Sequence, residues 1–154
     1  MARCLDHKRS TVRLAVALAA AVTGWSAAQA AQRLDPLSKT AESITGPVVL
    51  DTASIRFGRR AILRLQPAGS AVPFDGGSGT GKVKADLYRI LTPADPVLIR
   101  GNRLCGSGKP LTFLLVWSQK GISGPVTTLA PSTSPSPPAT MDDICGTYSY
   151  VPRG

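Results

Sequence analysis

Ala53-Ser54-Ile55-Arg56-Phe57-Gly58-Arg59-Arg60-Ala61-Ile62-Leu63-Arg64-Leu65 is the stretch that decides the fold class of this chain. Apolar and polar residues alternate on both sides of the glycine, which is typical of two half-buried β-strands. A three-residue loop sets Phe57 opposite Ala61 and makes one face of the pair apolar, whereas a two-residue loop would set Phe57 opposite Arg60. The pattern therefore predicts an antiparallel hairpin with the longer loop.

The polar face and the loop of this hairpin concentrate positive charge in four arginines, Arg56, Arg59, Arg60 and Arg64. Guanidinium groups suit phosphate and carboxylate partners, so we expect an anionic envelope component or an acidic protein. Nucleic acid is not expected, because no aromatic side chains are interleaved for bases to stack on. The alternative is a solvated strand face whose charge serves only solubility.

Further β-strands are predicted on both sides of this hairpin. The segment 83–87 alternates, and Leu111–Trp117 is apolar and bounded by Pro110, which favours a central strand covered on both faces. Residues 126–129 are its expected partner, and Tyr148 and Tyr150 share one face of a last strand. The fold class is therefore mainly β, a small antiparallel β-sandwich or barrel.

Three segments are expected to lie outside the regular sheet, and a short strand is expected between the second and the third. Residues 31–43 read as a loose N-terminal arm with at most a helical turn, and 67–81 as a glycine-rich loop before the strand at 83. Residues 97–99 read as a short strand, and the Pro/Ser-rich stretch 131–140 as a flexible loop. We therefore predict a single β domain over residues 44–154 behind the arm.

The first thirty residues have the layout of a secretory signal peptide, expected to form a signal helix. Lys8, Arg9 and Arg13 precede an apolar run from residue 14 to 22, and Ala28-Gln29-Ala30 predicts cleavage after Ala30. The run is too short for a transmembrane span. We therefore expect a periplasmic or secreted protein with no membrane span after removal of the signal.

Cleavage after Ala30 would remove four of the 18 Lys and Arg residues and one of the nine Asp and Glu residues. The remaining chain has a formal net charge of +6. Cleavage would also remove one of the three cysteines. The remaining two, Cys105 and Cys145, each precede a glycine and are predicted to form one structural disulfide in an oxidising compartment. A redox-active pair is disfavoured, because that role uses closely spaced cysteines.

Catalytic and metal-binding residues are scarce after residue 30. The sole histidine, His7, lies in the signal, so triads that need histidine are excluded, and no catalytic residue, metal ligand or cofactor is predicted. Asp142 and Asp143 are adjacent and would point apart on a strand. Two Ser-x-Lys sequences, 107–109 and 118–120, lack the Ser-x-x-Lys spacing of known nucleophile pairs.

The glycine-rich stretch Gly76-Gly77-Ser78-Gly79-Thr80-Gly81-Lys82 superficially matches a phosphate-binding P-loop. A P-loop needs Ser or Thr after the lysine to hold magnesium, and a helix must follow. Val83 follows here, and the next residues alternate as in a strand. A flexible hairpin loop is therefore the favoured interpretation.

Two patterns in the C-terminal part of the chain resemble known protein groups. Gly101-Asn102-Arg103-Leu104-Cys105-Gly106 and Cys145-Gly146-Thr147-Tyr148-Ser149-Tyr150 resemble a GNxLCG and CGTYxY pattern of small exported Gram-negative bacterial proteins of unknown function. This resemblance implies export and paired cysteines, and no activity. Trp117-Ser118-Gln119-Lys120-Gly121 is similar to a Trp-Lys-Gly segment of periplasmic lysozyme inhibitors. Their Ser-Gly-x-x-Tyr partner does not occur here, so no inhibitory residue is assigned.

Together these features predict an exported, non-enzymatic binding or interaction module of the cell envelope. The four hairpin arginines are its candidate site. Two alternatives remain open: a hydrolase-type enzyme using Asp or Ser/Lys chemistry, and a structural protein without a dedicated site.

Overall fold

A computed structural model describes residues 30–154, in which eight antiparallel strands form one closed barrel. Each strand pairs with the next along the chain, and the last pairs with the first. The strands are β1 Gln32–Pro36, β2 Val48–Leu50, β3 Ser54–Phe57, β4 Ala61–Asp75, β5 Lys82–Ala94, β6 Leu111–Gly121, β7 Gly124–Ser132 and β8 Tyr148–Pro152. The mainly β prediction is confirmed, and the barrel is the observed architecture.

The predicted signal peptide at 1–30, apart from Ala30, lies outside the described residues, and the expected signal helix lies there too. All eight strands find both of their partners within residues 32–152. The chain from residue 31 onward therefore holds a complete domain.

The prediction of a loose arm at 31–43 is wrong, because this segment contains β1 and most of a short helix. Leu34 of β1 pairs with Val48 on one side and with Pro152 on the other, and is buried. Helix α1 (Lys39–Ile44) follows, and the Ser38 hydroxyl caps it by accepting the Ala41 N–H at 3.1 Å. A single inward-facing leucine leaves no alternation to detect, so β1 is ordered by its two neighbours.

The main hydrophobic core fills the barrel. Inward-facing side chains from all eight strands form it, and the segments that connect strands at one end add further members. Its largest fully buried side chains include Tyr150, Phe57, Leu34 and Ile55. Tyr148 and Tyr150 share this inner face, as predicted.

A second hydrophobic cluster lies on the outer side of the sheet and buries the other face of β6. Phe113, Leu115 and Trp117 of β6 belong to this cluster, whereas Leu114 and Val116 belong to the main core. Trp117 packs against the ring of Phe74 of β4 with 5.5 Å between centroids. The prediction of a central strand covered on both faces is therefore confirmed.

Strand β4 continues through most of the segment predicted as a loop at 67–81. It pairs with β5 as far as Asp75 through two register shifts, and Ala71 adopts φ +52° within the second of them. Such bulges break the alternation by which strands are recognised in a sequence. Helix α2 (Gly77–Thr80) is a single turn that connects the two strands.

Two further predictions are corrected at the remaining connections. Residues 97–99 form no strand; a 3-10 turn lies at Ile99–Gly101. The loop predicted at 131–140 begins later, because Pro131 and Ser132 belong to β7 and are buried. The loop is also tethered: the Thr112 hydroxyl donates to the carbonyl of Ser134, and the Asp75 N–H donates to that of Ala139.

Candidate anion-binding surface

The β3–β4 hairpin has the register that its sequence predicts. Ile55 pairs with Leu63 in the middle of the hairpin, and Phe57 pairs with Ala61 next to the three-residue loop. Gly58 opens the loop with φ +54°, a left-handed conformation that glycine adopts without steric cost. Because the apolar side chains point into the barrel, the arginines of both strands point outward.

An alternating row of cationic and aliphatic residues crosses the outer surface of the first four strands. Arg33 of β1 pairs with Val49 of β2, and Val49 pairs in turn with Arg56 of β3. Arg56 pairs with Ile62 of β4. The row places Arg33 close to the predicted arginines. The periodicity of the hairpin did not reveal Arg33, because this residue lies on another strand.

The remaining predicted arginines extend this row along the hairpin. Arg64 pairs with Ser54, one diagonal step from Arg56 on the same face, and Arg59 and Arg60 form the loop. We refer to this surface as the arginine face; its residues are Arg33, Val49, Arg56, Arg59, Arg60, Ile62 and Arg64. All five arginines are exposed.

The arginine face carries more positive charge than its surroundings neutralise. Within residues 30–154 the one salt bridge joins Arg153 to Asp35 at 2.9 Å, so it uses none of the arginines of the face. Asp51 is ionised nearby, with its pKa lowered mainly by the hydrogen bond from the Ala53 N–H and to a smaller degree by Arg64. The guanidinium groups of the face are therefore available to an external anion.

The loop of the arginine face lies at the end of the barrel that also holds α1 and residues 95–110. We call this the closed end, because these connections contribute Ala41, Leu98 and Leu104 to the core. By the alternation of strand directions, the β2–β3, β4–β5 and β6–β7 turns lie at the opposite end, which we call the mouth.

Two tyrosine hydroxyls hold the connections of the closed end. Tyr150 Oη shares a hydrogen bond of 2.5 Å with Thr45 Oγ1 at the end of α1. Tyr148 donates to the carbonyl oxygen of Leu104 at 2.5 Å. Burial raises the pKa of both phenols, that of Tyr148 to about 12 with a smaller contribution from Asp95. Both side chains therefore stay neutral and able to donate at neutral pH.

A buried aspartate and the disulfide fix the rest of the closed end. The Asp95 carboxylate is 6% exposed and accepts the N–H groups of Leu104 at 2.9 Å and Cys105 at 3.2 Å. Cys105 and Cys145 form the predicted disulfide, with their Cα atoms 5.0 Å apart. Asp95 was not predicted as a functional or structural residue, because its only signal in the sequence is its place between two prolines.

The mouth holds a cavity of about 240 Å³ with a mostly polar lining. Its floor includes Leu50 and Val116, and ionisable or hydroxyl-bearing side chains stand around it. These are Asp51, Thr52, Lys84, Asp86, Tyr88, Ser118 and Thr127. These lining residues were not predicted to lie together, because they are far apart along the chain.

The two carboxylates that line the mouth cavity, Asp51 and Asp86, already accept hydrogen bonds from neighbouring segments of the barrel. Asp51 accepts the N–H groups of Ala53 and Ser54, each at 2.7 Å. Asp86 accepts the Ser70 hydroxyl at 3.0 Å and the Ala71 N–H at 3.2 Å, and thereby holds the bulge of β4. Asp51 and Asp86 therefore have structural roles, and they are the two carboxylates that a hydrolase at this cavity would need.

No known protein family matches this chain, and neither the curated proteins nor the solved structures provide a match to it. In the described part of the chain no helix has both the length and the apolar character to cross a membrane. The same residues contain no group of three or more His, Cys, Asp or Glu side chains placed to hold a metal ion.

The other candidate motifs have structural roles. The glycine-rich stretch 76–82 forms the single turn of α2 and leads directly into β5, so the helix that a P-loop requires does not follow. Asp143 accepts the N–H groups of Ala139 and Thr140, which lower its pKa. This aspartate closes a capping box with Thr140 in the turn Met141–Asp143.

Proposed function

We propose that this protein is an exported, non-enzymatic binding module of the cell envelope that holds an anionic partner on its arginine face. The observation that carries the proposal is the row Arg33, Val49, Arg56 and Ile62, which continues into Arg59, Arg60 and Arg64. Each of these arginines is exposed and outside the one salt bridge of the described residues.

Guanidinium groups on a rigid strand surface suit phosphate or carboxylate recognition. A guanidinium donates two parallel hydrogen bonds to such an anion, and a fixed backbone reduces the entropy lost on binding. The face stands on a closed sheet that is tied at the closed end by the Cys105–Cys145 disulfide. A disulfide is also compatible with the proposed periplasmic or secreted location.

The proposal is tested with the chain 31–154 and inorganic polyphosphate, a soluble polyanion without apolar parts. We expect binding that weakens as salt increases, because exposed charges are screened. The double substitution Arg59→Gln/Arg60→Gln should weaken binding by about tenfold or more, since charge-assisted hydrogen bonds to phosphate are lost. Isothermal titration calorimetry provides the measurement.

The matched control is Lys82→Gln/Lys84→Gln, which removes the same charge at the mouth, where both lysines are exposed. This variant should bind polyphosphate nearly as tightly as the unmodified chain. Equal losses in the two variants would show that only net charge matters, which would favour the alternative of a structural protein with a merely solvated cationic surface.

A hydrolase acting at the mouth is the second candidate function. The observation in its favour is that Asp51, Lys84, Asp86 and Tyr88 line one cavity. Against it, the hydrogen bonds that Asp51 accepts keep its carboxyl ionised, which suits a base or nucleophile and not a general acid. The engagement of Asp86 with the β4 bulge further favours the binding module.

A further inference from the structure

We infer that the anionic partner of the arginine face is the phosphate-bearing surface of a lipid bilayer, which the face contacts with aliphatic side chains as well as with arginines. This inference rests on the proposed function and narrows its partner. It assigns the protein a peripheral contact with the membrane, made by the outside of the barrel near the closed end.

The aliphatic residues of the face are placed between its charges. Val49 is flanked by Arg33 and Arg56 across the sheet, and Ile62 lies beside Arg56. The Ile62 side chain is 51% exposed, although its immediate neighbours along β4, Ala61 and Leu63, are partly or fully buried. About half of this aliphatic residue therefore stays in contact with water in the folded chain.

A further exposed aliphatic residue extends the surface onto β5. Leu65 pairs with Ile90, so the residues next to them, Arg64 and Leu91, are neighbours on the outer face of an antiparallel pair. Leu91 is 56% exposed. An exposed aliphatic residue therefore lies beside an arginine at two places, Ile62 beside Arg56 and Leu91 beside Arg64.

A bilayer surface matches this arrangement better than a soluble polyanion does. Phosphates lie at the level of the headgroups and hydrocarbon begins just below them, so arginines can bind the former while short aliphatic side chains enter the latter. Anionic lipid attracts each nearby Lys or Arg by an amount equivalent to about fivefold in affinity. A soluble polyanion without apolar parts would engage the charges and leave Ile62 and Leu91 without a role.

The mouth provides the internal comparison. It also has exposed cations, Lys82, Lys84 and Lys120, and its β6–β7 turn bears Ile122, an aliphatic side chain that is fully exposed. Asp51, Asp75 and Asp86 equal the three lysines of the mouth in number. Among the described residues, the five arginines of the arginine face have one free carboxylate close to them, Asp51 near Arg64, because Asp35 of β1 is bound by Arg153. The mouth therefore lacks the excess positive charge that an anionic surface requires.

The experiment titrates the chain 31–154 with vesicles of phosphatidylcholine alone, with vesicles that also contain phosphatidylglycerol, and with inorganic polyphosphate. We expect binding to the anionic vesicles and to polyphosphate, and weak binding to neutral vesicles. Ile62→Ser/Leu91→Ser should weaken binding to anionic vesicles on the order of tenfold, because apolar burial is lost, and leave polyphosphate binding unchanged. Ile122→Ser should change neither.

Tryptophan substitutions locate the contact. Trp117 is buried, so the emission of an added exposed tryptophan can be followed against it. We expect the emission of Ile62→Trp to shift to shorter wavelength on anionic vesicles, and that of Ile122→Trp to stay at its value in buffer. A blue shift of the Ile122→Trp emission without one for Ile62→Trp would overturn the inference.

The outcomes separate this inference from the proposed function. One outcome is that Arg59→Gln/Arg60→Gln loses affinity for polyphosphate, while Ile62→Ser/Leu91→Ser binds anionic vesicles as tightly as the unmodified chain. In that case the contact with the bilayer is overturned and the anion-binding function stands. Polyglutamate, titrated in the same way, represents an acidic protein. Binding to polyphosphate and polyglutamate without binding to vesicles would overturn the contact with the bilayer and favour an acidic protein as the partner. If the arginine variant retains full polyphosphate affinity, both proposals fail.

Discussion

The closed end and the mouth of this barrel are built from different kinds of interaction. At the closed end a disulfide, a buried aspartate and two buried tyrosines fix the connecting segments. At the mouth the polar side chains surround a cavity, and their hydrogen bonds stay within turns or join neighbouring strands. The comparison indicates that contacts between distant parts of the chain are concentrated at the closed end. That end also carries Arg59 and Arg60 of the arginine face, where a binding surface benefits from a fixed backbone.

Removal of the disulfide should have the largest effect. The chain-entropy relation for cysteines 40 residues apart gives about 4 kcal/mol, so Cys105→Ser/Cys145→Ser should lower the free energy of unfolding by about that amount. Urea unfolding of the variant and of the oxidised chain provides the measurement. A loss below about 1 kcal/mol would place the stability of the domain elsewhere than at the closed end.

Loss of a single hydroxyl should also distinguish the two ends. Tyr150→Phe leaves buried Thr45 without its 2.5 Å partner and should cost about 1.5 kcal/mol of unfolding free energy. The control Tyr88→Phe removes a hydroxyl from the lining of the mouth and should change stability by less than about 0.5 kcal/mol. Comparable losses in the two variants would remove the distinction between the ends.

Alkaline pH should weaken the closed end through the same tyrosines. The folded state raises the pKa of Tyr148 from 10 to about 12, chiefly by burial, and raises that of Tyr150 as well. The neutral phenol therefore stabilises the fold fully below pH 10, and this contribution is lost as the pH rises from 10 through about 12. Unfolding free energies measured across this interval should fall for the unmodified chain and fall less steeply for Tyr148→Phe/Tyr150→Phe. Parallel declines would contradict the assignment.

At the mouth, Asp86→Ala should have the smallest effect of the series. It removes acceptors for Ser70 and Ala71 at an exposed position, and about 1 kcal/mol of unfolding free energy should be lost. The Asp86 carboxylate holds the bulge of β4 and makes no hydrogen bond to a residue of the arginine face. Polyphosphate binding should therefore stay unchanged. A variant that keeps full stability but loses a hydrolytic activity of the protein would instead favour the enzyme at the mouth.

The fold was predictable from the sequence where hydrophobic and polar residues alternate clearly over a short stretch of chain. The Ile55–Leu63 register, the doubly buried β6 and the pairing of Cys105 with Cys145 were all predicted, because each follows from periodicity or from a cysteine count. Prediction from the sequence failed for β1, which has one inward leucine, and for the second half of β4, where two bulges interrupt the period.

The candidate site was predictable only in part for the same reason. Arg56, Arg59, Arg60 and Arg64 lie on one hairpin, so their clustering can be read from the sequence. Arg33 joins them only through the pairing of β1 with β2, which spans sixteen residues of chain. The lining of the mouth and the tyrosine partners depend on barrel closure and have no local signal, and Asp95 has only the two neighbouring prolines as a signal.

The most direct test of the central claim is amide chemical-shift mapping by NMR of the chain 31–154 during titration with inorganic polyphosphate. We predict that shifts concentrate at Arg33, Val49 and residues 56–64, and that residues 82–88 at the mouth keep their positions. Shifts confined to the mouth, or spread evenly over all exposed cations, would contradict the assignment of anion binding to the arginine face.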